Sequence, residues 1–125
     1  MLMIFITGVS GFIGYFLAKR LLAAGEAVAG VDNLNDYYDP ALKAARLKEL
    51  SNFKGFRFFE ADIGDKDAMA SVMAQCPEVS EIVHLAAQAG VRYSIDNPMA
   101  YGQSNLMGQL VMLEIARDLH NKGQL

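Results

Sequence analysis

The chain is 125 residues long, a length for one domain, and 53% of it is hydrophobic, which excludes a disordered segment. Its formal net charge of −3, with 11 Lys and Arg scattered along the chain, excludes a general nucleic-acid surface. One cysteine and two histidines leave no internal disulfide and no metal-ligand cluster.

Cys76, beside Pro77, reads as a small buried thiol. No run reaches the ~18 apolar residues of a membrane span. The apolar start lacks a basic flank and runs into glycines, so it reads as a strand and not a signal peptide. Together with the lack of disulfides, this predicts a cytoplasmic protein without a membrane segment.

Residues 2–6 are a continuous β-prone run, as expected of a strand buried on both faces. Residues 12–24 place Ile13, Phe16, Leu17, Leu21 and Ala24 at helical spacing, and Gly25 sits where a helix ends. Residues 27–31 are a second buried strand. Residues 33–40 are polar and turn-rich, and Pro40 opens a helix that good helix formers continue to residue 50. Residues 56–59 are a third strand. Asp65 caps a helix over 66–75, and residues 81–85 are a fourth strand. Pro98 opens a long last helix over 99–121 with apolar positions at 106, 110, 113 and 116. This alternation predicts an α/β fold of parallel strands joined by right-handed crossovers, in spatial order 3-2-1-4 with helices on both faces. It is an incomplete doubly wound (Rossmann) sheet, since the full fold continues past a fourth strand.

Gly8, Gly11 and Gly14 stand three apart between the first strand and the first helix. Gly8 turns the chain off the strand, Gly11 admits a pyrophosphate to the backbone, and Gly14 lets the helix pack close to the sheet. The free amides and dipole of the helix start then meet phosphate oxygens. The bland alternative is an ordinary strand-to-helix turn. The preceding strand, the following helix and Asp32 at the end of the second strand favour a dinucleotide site. Asp32 is placed to accept hydrogen bonds from the adenosine ribose and to repel the extra phosphate of NADP. No arginine follows it closely, so the pattern predicts NAD. An ordinary strand-end acid is the alternative for Asp32.

Thr7-Gly-Val-Ser-Gly-Phe-Ile-Gly14 resembles the opening of the extended short-chain dehydrogenases/reductases, which include nucleotide-sugar epimerases and dehydratases. Asp32-Asn-Leu-Asn-Asp-Tyr-Tyr-Asp-Pro40, with Leu42-Lys43 and Ala45-Arg46-Leu47, is similar more narrowly to the UDP-glucuronate 4-epimerases. So are His84-Leu-Ala-Ala-Gln-Ala-Gly-Val-Arg-Tyr-Ser94, Asn97-Pro98, and Ser104-Asn105 with Gly108. The resemblance covers essentially the whole chain.

That resemblance implies roles for matching positions. Gly8, Gly11, Phe12 and Ile13 would contact the pyrophosphate. Asp32, Asn33 and Asn35 would surround the adenosine ribose, and Asp62 and Ile63 would hold the adenine. Leu85, Ala86, Ala87 and Gln88 would run beside the cofactor toward the nicotinamide, with Asn105 bracing that wall. Gly90 and Arg92 would face the sugar nucleotide. On the residues alone, other roles stay open. Asp62 could cap a turn before Gly64, Asn105 could be an exposed helix position, and Arg92 a solvated charge or a partner of Asp96. His84 reads as a core histidine, and Tyr37 and Tyr38 as loop packing.

The family's reaction removes a hydride from C4 of the sugar onto NAD and returns it to the other face. A tyrosine phenolate acts as base, aided by a lysine four residues later. Only Tyr15 and Lys19 have that spacing here, in the first helix, where the family's pair does not occur, and they read as a surface pair. The catalytic pair and the substrate-binding region are therefore expected to be absent. The chain reads as the N-terminal part of an epimerase of a UDP-sugar, UDP-glucuronate in the narrower resemblance, and as inactive by itself. A non-catalytic dinucleotide-binding module and a dehydratase fragment are the alternatives. The fourth strand is expected to be an open apolar edge, and this edge or the last helix is expected to drive self-association into a homodimer.

Overall fold

Strand-forming residues alternate with helical segments, and each strand runs parallel to its neighbours. The computed structural model describes residues 2–125. Its elements are β1 (Met3–Thr7), α1 (Phe12–Ala23), β2 (Ala27–Asp32), α2 (Pro40–Leu50), β3 (Phe56–Glu60), α3 (Lys66–Ala74) and β4 (Val79–His84). Then come α4 (Val91–Asp96), α5 (Pro98–Tyr101), a π-helical turn (Gly102–Met107) and α6 (Gly108–Asn121). The sheet order is β3-β2-β1-β4, as the alternation predicts. Met3 to Thr7 of β1 lie opposite Ala27 to Val31 of β2, and Ile4 to Thr7 lie opposite Glu81 to His84 of β4.

Side chains of β1 alternate between two cores. Met3 and Phe5 pack with α3 and α6 through Met69, Val72, Val111, Met112 and Leu119. Ile6 joins Tyr15, Ala18, Leu22 and Leu50 on the opposite face, under α1 and α2. Covering both faces of a parallel sheet is what makes its strands continuously apolar. Cys76 is fully buried in the first of these cores. No helix among the described residues is long and apolar enough to cross a membrane.

Two features depart from the sequence reading. The short helix α4 was not expected. Its Val91 and Ile95 are exposed and none of its residues is buried, so it carries no helical stripe of core positions. The long last helix is interrupted by the π turn, where one extra residue per turn widens the coil. The widened coil seats against the loop after β3. A Cβ on Gly108 would lie 2.5 Å from Ile63 Cδ1, so the Ile63 side chain packs directly on the helix backbone at this glycine.

Gly14 makes a tighter approach, and onto backbone. A Cβ there would lie 2.1 Å from the Gly8 carbonyl oxygen, so α1 starts pressed against the turn that precedes it. Gly102, by contrast, has nothing within 4 Å of its would-be Cβ. The two predict opposite signs for one substitution. Gly102→Ala raises stability by about 1 kcal/mol, the usual helix-propensity gain, and Gly14→Ala lowers it. Urea unfolding midpoints of the two variants check this.

Candidate functional site

The carboxyl ends of β1, β2 and β4 open onto one cleft of about 760 Å³. It lies beside β1 where the strand order reverses, β2 and β3 being added on one side and β4 on the other, which is where parallel sheets hold ligands. Of the residues singled out in the sequence, Gly8, Gly11, Phe12, Ile13, Gly14, Asp32, Asn33, Asn35, Ile63, Leu85, Ala86, Ala87 and Gln88 line it. Asp62, Gly90, Arg92 and Asn105 do not.

The first wall is the glycine turn. Gly8 takes φ +70°, a left-handed conformation that favours glycine, and its N–H donates to Val31 O at 2.8 Å. No side chain caps α1, and its first turn holds no acid. The N–H groups of Phe12, Ile13 and Gly14 therefore have no protein acceptor, and the positive end of the helix dipole faces the cleft. The side chains of Phe12 and Ile13 are 70% and 66% exposed at the same place. Free amides with an apolar flank and no carboxylate suit a diphosphate.

The second wall is the end of β2. Asp32 is buried, and its carboxylate accepts from Ser10 N (3.2 Å), Leu34 N (2.9 Å) and Lys43 Nζ (3.2 Å). Two of these donors reach Oδ1 and one reaches Oδ2, so Oδ2 keeps acceptor capacity for a hydroxyl in the cleft. Leu34 is held at φ 55°, and the Asp32–Leu34 and Asn33–Asn35 turns support it there.

The third wall is the loop after β4, and a hydroxyl organises it. Thr7 Oγ1 accepts from Leu85 N (2.9 Å) and Ala86 N (3.0 Å) and lies 2.7 Å from His84 Nδ1. With both lone pairs used, the Thr7 proton goes to Nδ1. His84 is then neutral with its own proton on Nε2. Burial pushes the His84 pKa down, and a weaker hydrogen bond to Gln109 opposes this. His84 faces a second depression beside α6, away from the cleft.

Asn105, on the π turn, grips the backbone of Gln88 twice. Gln88 N donates to its Oδ1 at 2.7 Å, and its Nδ2 donates to Gln88 O at 3.0 Å. Asn35 Nδ2 donates to Gln88 Oε1 at 3.1 Å and ties the second wall to the third. Tyr37 packs edge-on against Tyr38 and Tyr93, with its hydroxyl over Gly90. Asp62 accepts from Gly64 N at 2.9 Å, closing a turn, and Arg92 is exposed with no ion pair to Asp96.

Tyr15 and Lys19 are not a simple surface pair. The Tyr15 ring is buried, and its hydroxyl donates to Glu49 Oε2 on α2 at 2.5 Å, while Lys19 also pairs with Glu49. The bond to Glu49 raises the phenol pKa, the reverse of what a tyrosine base needs. Neither residue lines the cleft. The two helices meet here because Tyr15 lies on the core-facing side of α1, where its hydroxyl reaches across to α2.

Sequence reasoning missed Lys43 and Arg46, which line the cleft from α2. Their i, i+3 spacing places them on one face of that helix, but nothing in the sequence shows that this face turns toward Asp32. No group of three or more metal-ligating side chains is found among the described residues.

His84 predicts a pH dependence. Its folded pKa lies below the ordinary 6.5, so the unfolded chain binds a proton first as the pH falls. The stability it contributes is complete above pH 6.5 and is lost as the pH drops toward the folded value. Urea midpoints that fall below pH 6.5 in the unmodified chain, and fall less in His84→Asn, check it.

Known proteins agree with this architecture. The chain is 46% identical over 113 residues to a UDP-glucuronate 4-epimerase of Thermodesulfobacterium geofontis, covering 90% of this chain and 35% of the relative. It is 40% identical over 114 residues to UDP-glucuronate 4-epimerase 1 of Arabidopsis thaliana, covering 91% of this chain and 26% of that one. The UDP-glucuronic acid 4-epimerase of Bacillus cereus, solved with UDP-glucuronic acid and NAD, superposes with a TM-score of 0.79 at 30% identity, over 90% of this chain and 35% of that one. The Thermus thermophilus UDP-glucose 4-epimerase, solved with NAD, gives 0.75 at 32% identity, over 94% and 34%. The chain thus spans about a third of the length of most of these proteins. Residues 5–125 match the family described as GDP-mannose 4,6 dehydratase, and with its glycine turn, its strand-end aspartate and its 3-2-1-4 sheet the chain belongs to that family of nucleotide-sugar epimerases and dehydratases.

Proposed function

We propose that this chain is the NAD-binding portion of a UDP-sugar 4-epimerase, with UDP-glucuronate the sugar nucleotide of the whole enzyme, and that alone it does not turn over. One observation carries the reading. The unpartnered amides of Phe12, Ile13 and Gly14 share a cleft with the Asp32 carboxylate, which suits a diphosphate at one point and a ribose at the other. Gly8, Gly11 and Gly14 give the diphosphate its approach, and Asn33 and Asn35 flank the ribose. Ile63 supplies an apolar adenine contact, with Asp62 in the turn beside it. Leu85 to Gln88 form the wall toward the nicotinamide, braced by Asn105. Gly90 and Arg92 lie further along the same loop, toward the sugar nucleotide.

The absence of turnover rests on Tyr15. It is the only tyrosine followed four residues later by lysine, it stands outside the cleft, and its phenol is held protonated. The sugar assignment rests on the similarity to UDP-glucuronate 4-epimerases. We place the protein in the cytoplasm, with no nucleic-acid or membrane partner.

The reading also assigns a surface to a second copy of the chain. Leu106, Leu110 and Leu113 are 63%, 48% and 53% exposed and form one stripe along the last helix. β4 beside it is an edge strand.

Isothermal titration with NAD tests the cofactor site. Asp32→Ala weakens NAD by about tenfold to a hundredfold, the worth of hydrogen bonds to a charged group. Gly11→Val abolishes binding by filling the phosphate approach. Unchanged affinity in either variant sinks the assignment. Sedimentation tests the surface: the unmodified chain sediments as a dimer and Leu110→Asp as a monomer.

A further inference from the structure

Two loops line the cleft from opposite sides, and they touch. One follows β2 and brings Asn35 and Tyr37, and the other follows β4 and brings Gln88. β2 and β4 flank β1 on opposite sides, so a contact between these loops spans the carboxyl end of β1, where the glycine turn begins. Two contacts do so. Asn35 Nδ2 donates to Gln88 Oε1 at 3.1 Å. Two residues further along, the Tyr37 ring meets the Tyr93 ring edge-on, with 4.9 Å between centroids. Gly90 makes room for this pair. It stands at φ +98°, and a Cβ there would lie 2.1 Å from the Tyr37 hydroxyl oxygen.

The two sides of this span are held differently. Asn105 clamps both backbone groups of Gln88. Asn97 holds Tyr93: its Nδ2 donates to the Tyr93 hydroxyl at 3.1 Å, while its Oδ1 accepts from Ala100 N at the start of α5. The loop after β2 has no such support. None of residues 33–40 is buried, Leu34 has φ 55°, and the side-chain bonds to its backbone are short-range turns from Asp32, Asn33 and Asp39. A segment with few buried contacts opens locally at low cost. When the contact between the loops breaks, it is the loop after β2 that moves.

We propose that Tyr37 and Tyr93 form a clasp across the cleft, which parts for a dinucleotide to enter or leave and so sets the rate of exchange and not the affinity. The inference rests on the reading of the cleft as a dinucleotide site. A ligand that fills the cleft from Asp32 to Gln88 touches both loops, and the join between them has to open before so long a molecule passes. Tyr93 does not line the cleft, so it acts through Tyr37, as a positioning residue. A ring contact made equally with and without ligand cancels from the binding constant, but it still has to break on the way in and on the way out.

Surface plasmon resonance with NAD over the immobilised chain reads both rates. Tyr93→Ala raises the association and dissociation rates together, each by about threefold to tenfold, the scale of one edge-on aromatic pair. Their ratio stays within about twofold of the unmodified chain. Tyr37→Ala raises both rates at least as much, and adding Tyr93→Ala to it changes neither rate further, because the two substitutions remove one contact. Neither ring is buried, so the variants keep the core intact. Unchanged rates in Tyr93→Ala overturn the clasp. So does a dissociation rate that rises while association stays fixed, which marks a direct ligand contact, and so does a further rise when Tyr93→Ala is added to Tyr37→Ala. In each of these cases NAD still binds and the cofactor site stands. A chain that binds no NAD overturns the dinucleotide reading and the clasp with it.

Discussion

The Asp32 carboxylate is the junction on which the cleft depends. It is the point where the glycine turn, the loop after β2 and helix α2 meet, through Ser10 N, Leu34 N and Lys43 Nζ. A buried carboxylate costs several kcal/mol unless it is paired and hydrogen-bonded, so these donors are held to it as firmly as it is held to them. The constraint fixes where the amides of α1 point. It does so without a side-chain cap on that helix, and it therefore leaves those amides free for a ligand.

A second junction mirrors it across β1. The Thr7 hydroxyl collects Leu85 N, Ala86 N and His84 Nδ1, so the loop after β4 is referenced to the central strand and not to solvent. Asn105 then clamps Gln88 from the far side. The buried polar residues of the described chain are Thr7, Ser10, Asp32, Lys43 and Gln88, and all belong to this end of the molecule. The apolar cores supply stability, and the polar groups hold three loops at fixed separation. Buried polar networks of this kind specify one arrangement only when every member is satisfied. Ser10 Oγ is the exception, and it stands beside the candidate ligand site.

The π turn shows how a helix serves a site it does not line with many residues. A regular coil through Gly102–Met107 has a different register, and the hold of Asn105 on Gln88 depends on the register present. Gly108 against the Ile63 side chain sets the distance at which the helix passes the cleft. The exposed leucines on its other side, at 106, 110 and 113, are what remains when one face of an amphipathic helix is committed inward.

Local chemistry was enough to determine the alternation of strand and helix, the 3-2-1-4 order and the glycine turn, because apolar periodicity and a left-handed glycine are properties of neighbouring residues. The caps were legible for the same reason, as Asp65 accepting from Ala68 N shows. α4 and the π turn were not legible. α4 buries none of its residues and so has no apolar period, and the π register is imposed by packing against Gly64, Ile63 and Gln88 from distant parts of the chain. The same limit applied to charge. Asp32 was visible as a strand-end acid, but its pairing with Lys43 spans a turn and part of a helix and needs α2 packed in place. Tyr15 likewise has sequence spacing to Lys19 but takes its chemistry from Glu49, 34 residues away. Sequence by itself singled out most of the residues that come to line one cleft together, from Gly8 to Gln88; tertiary packing alone decided which charges stand beside them, because electrostatics acts through space and not along the chain.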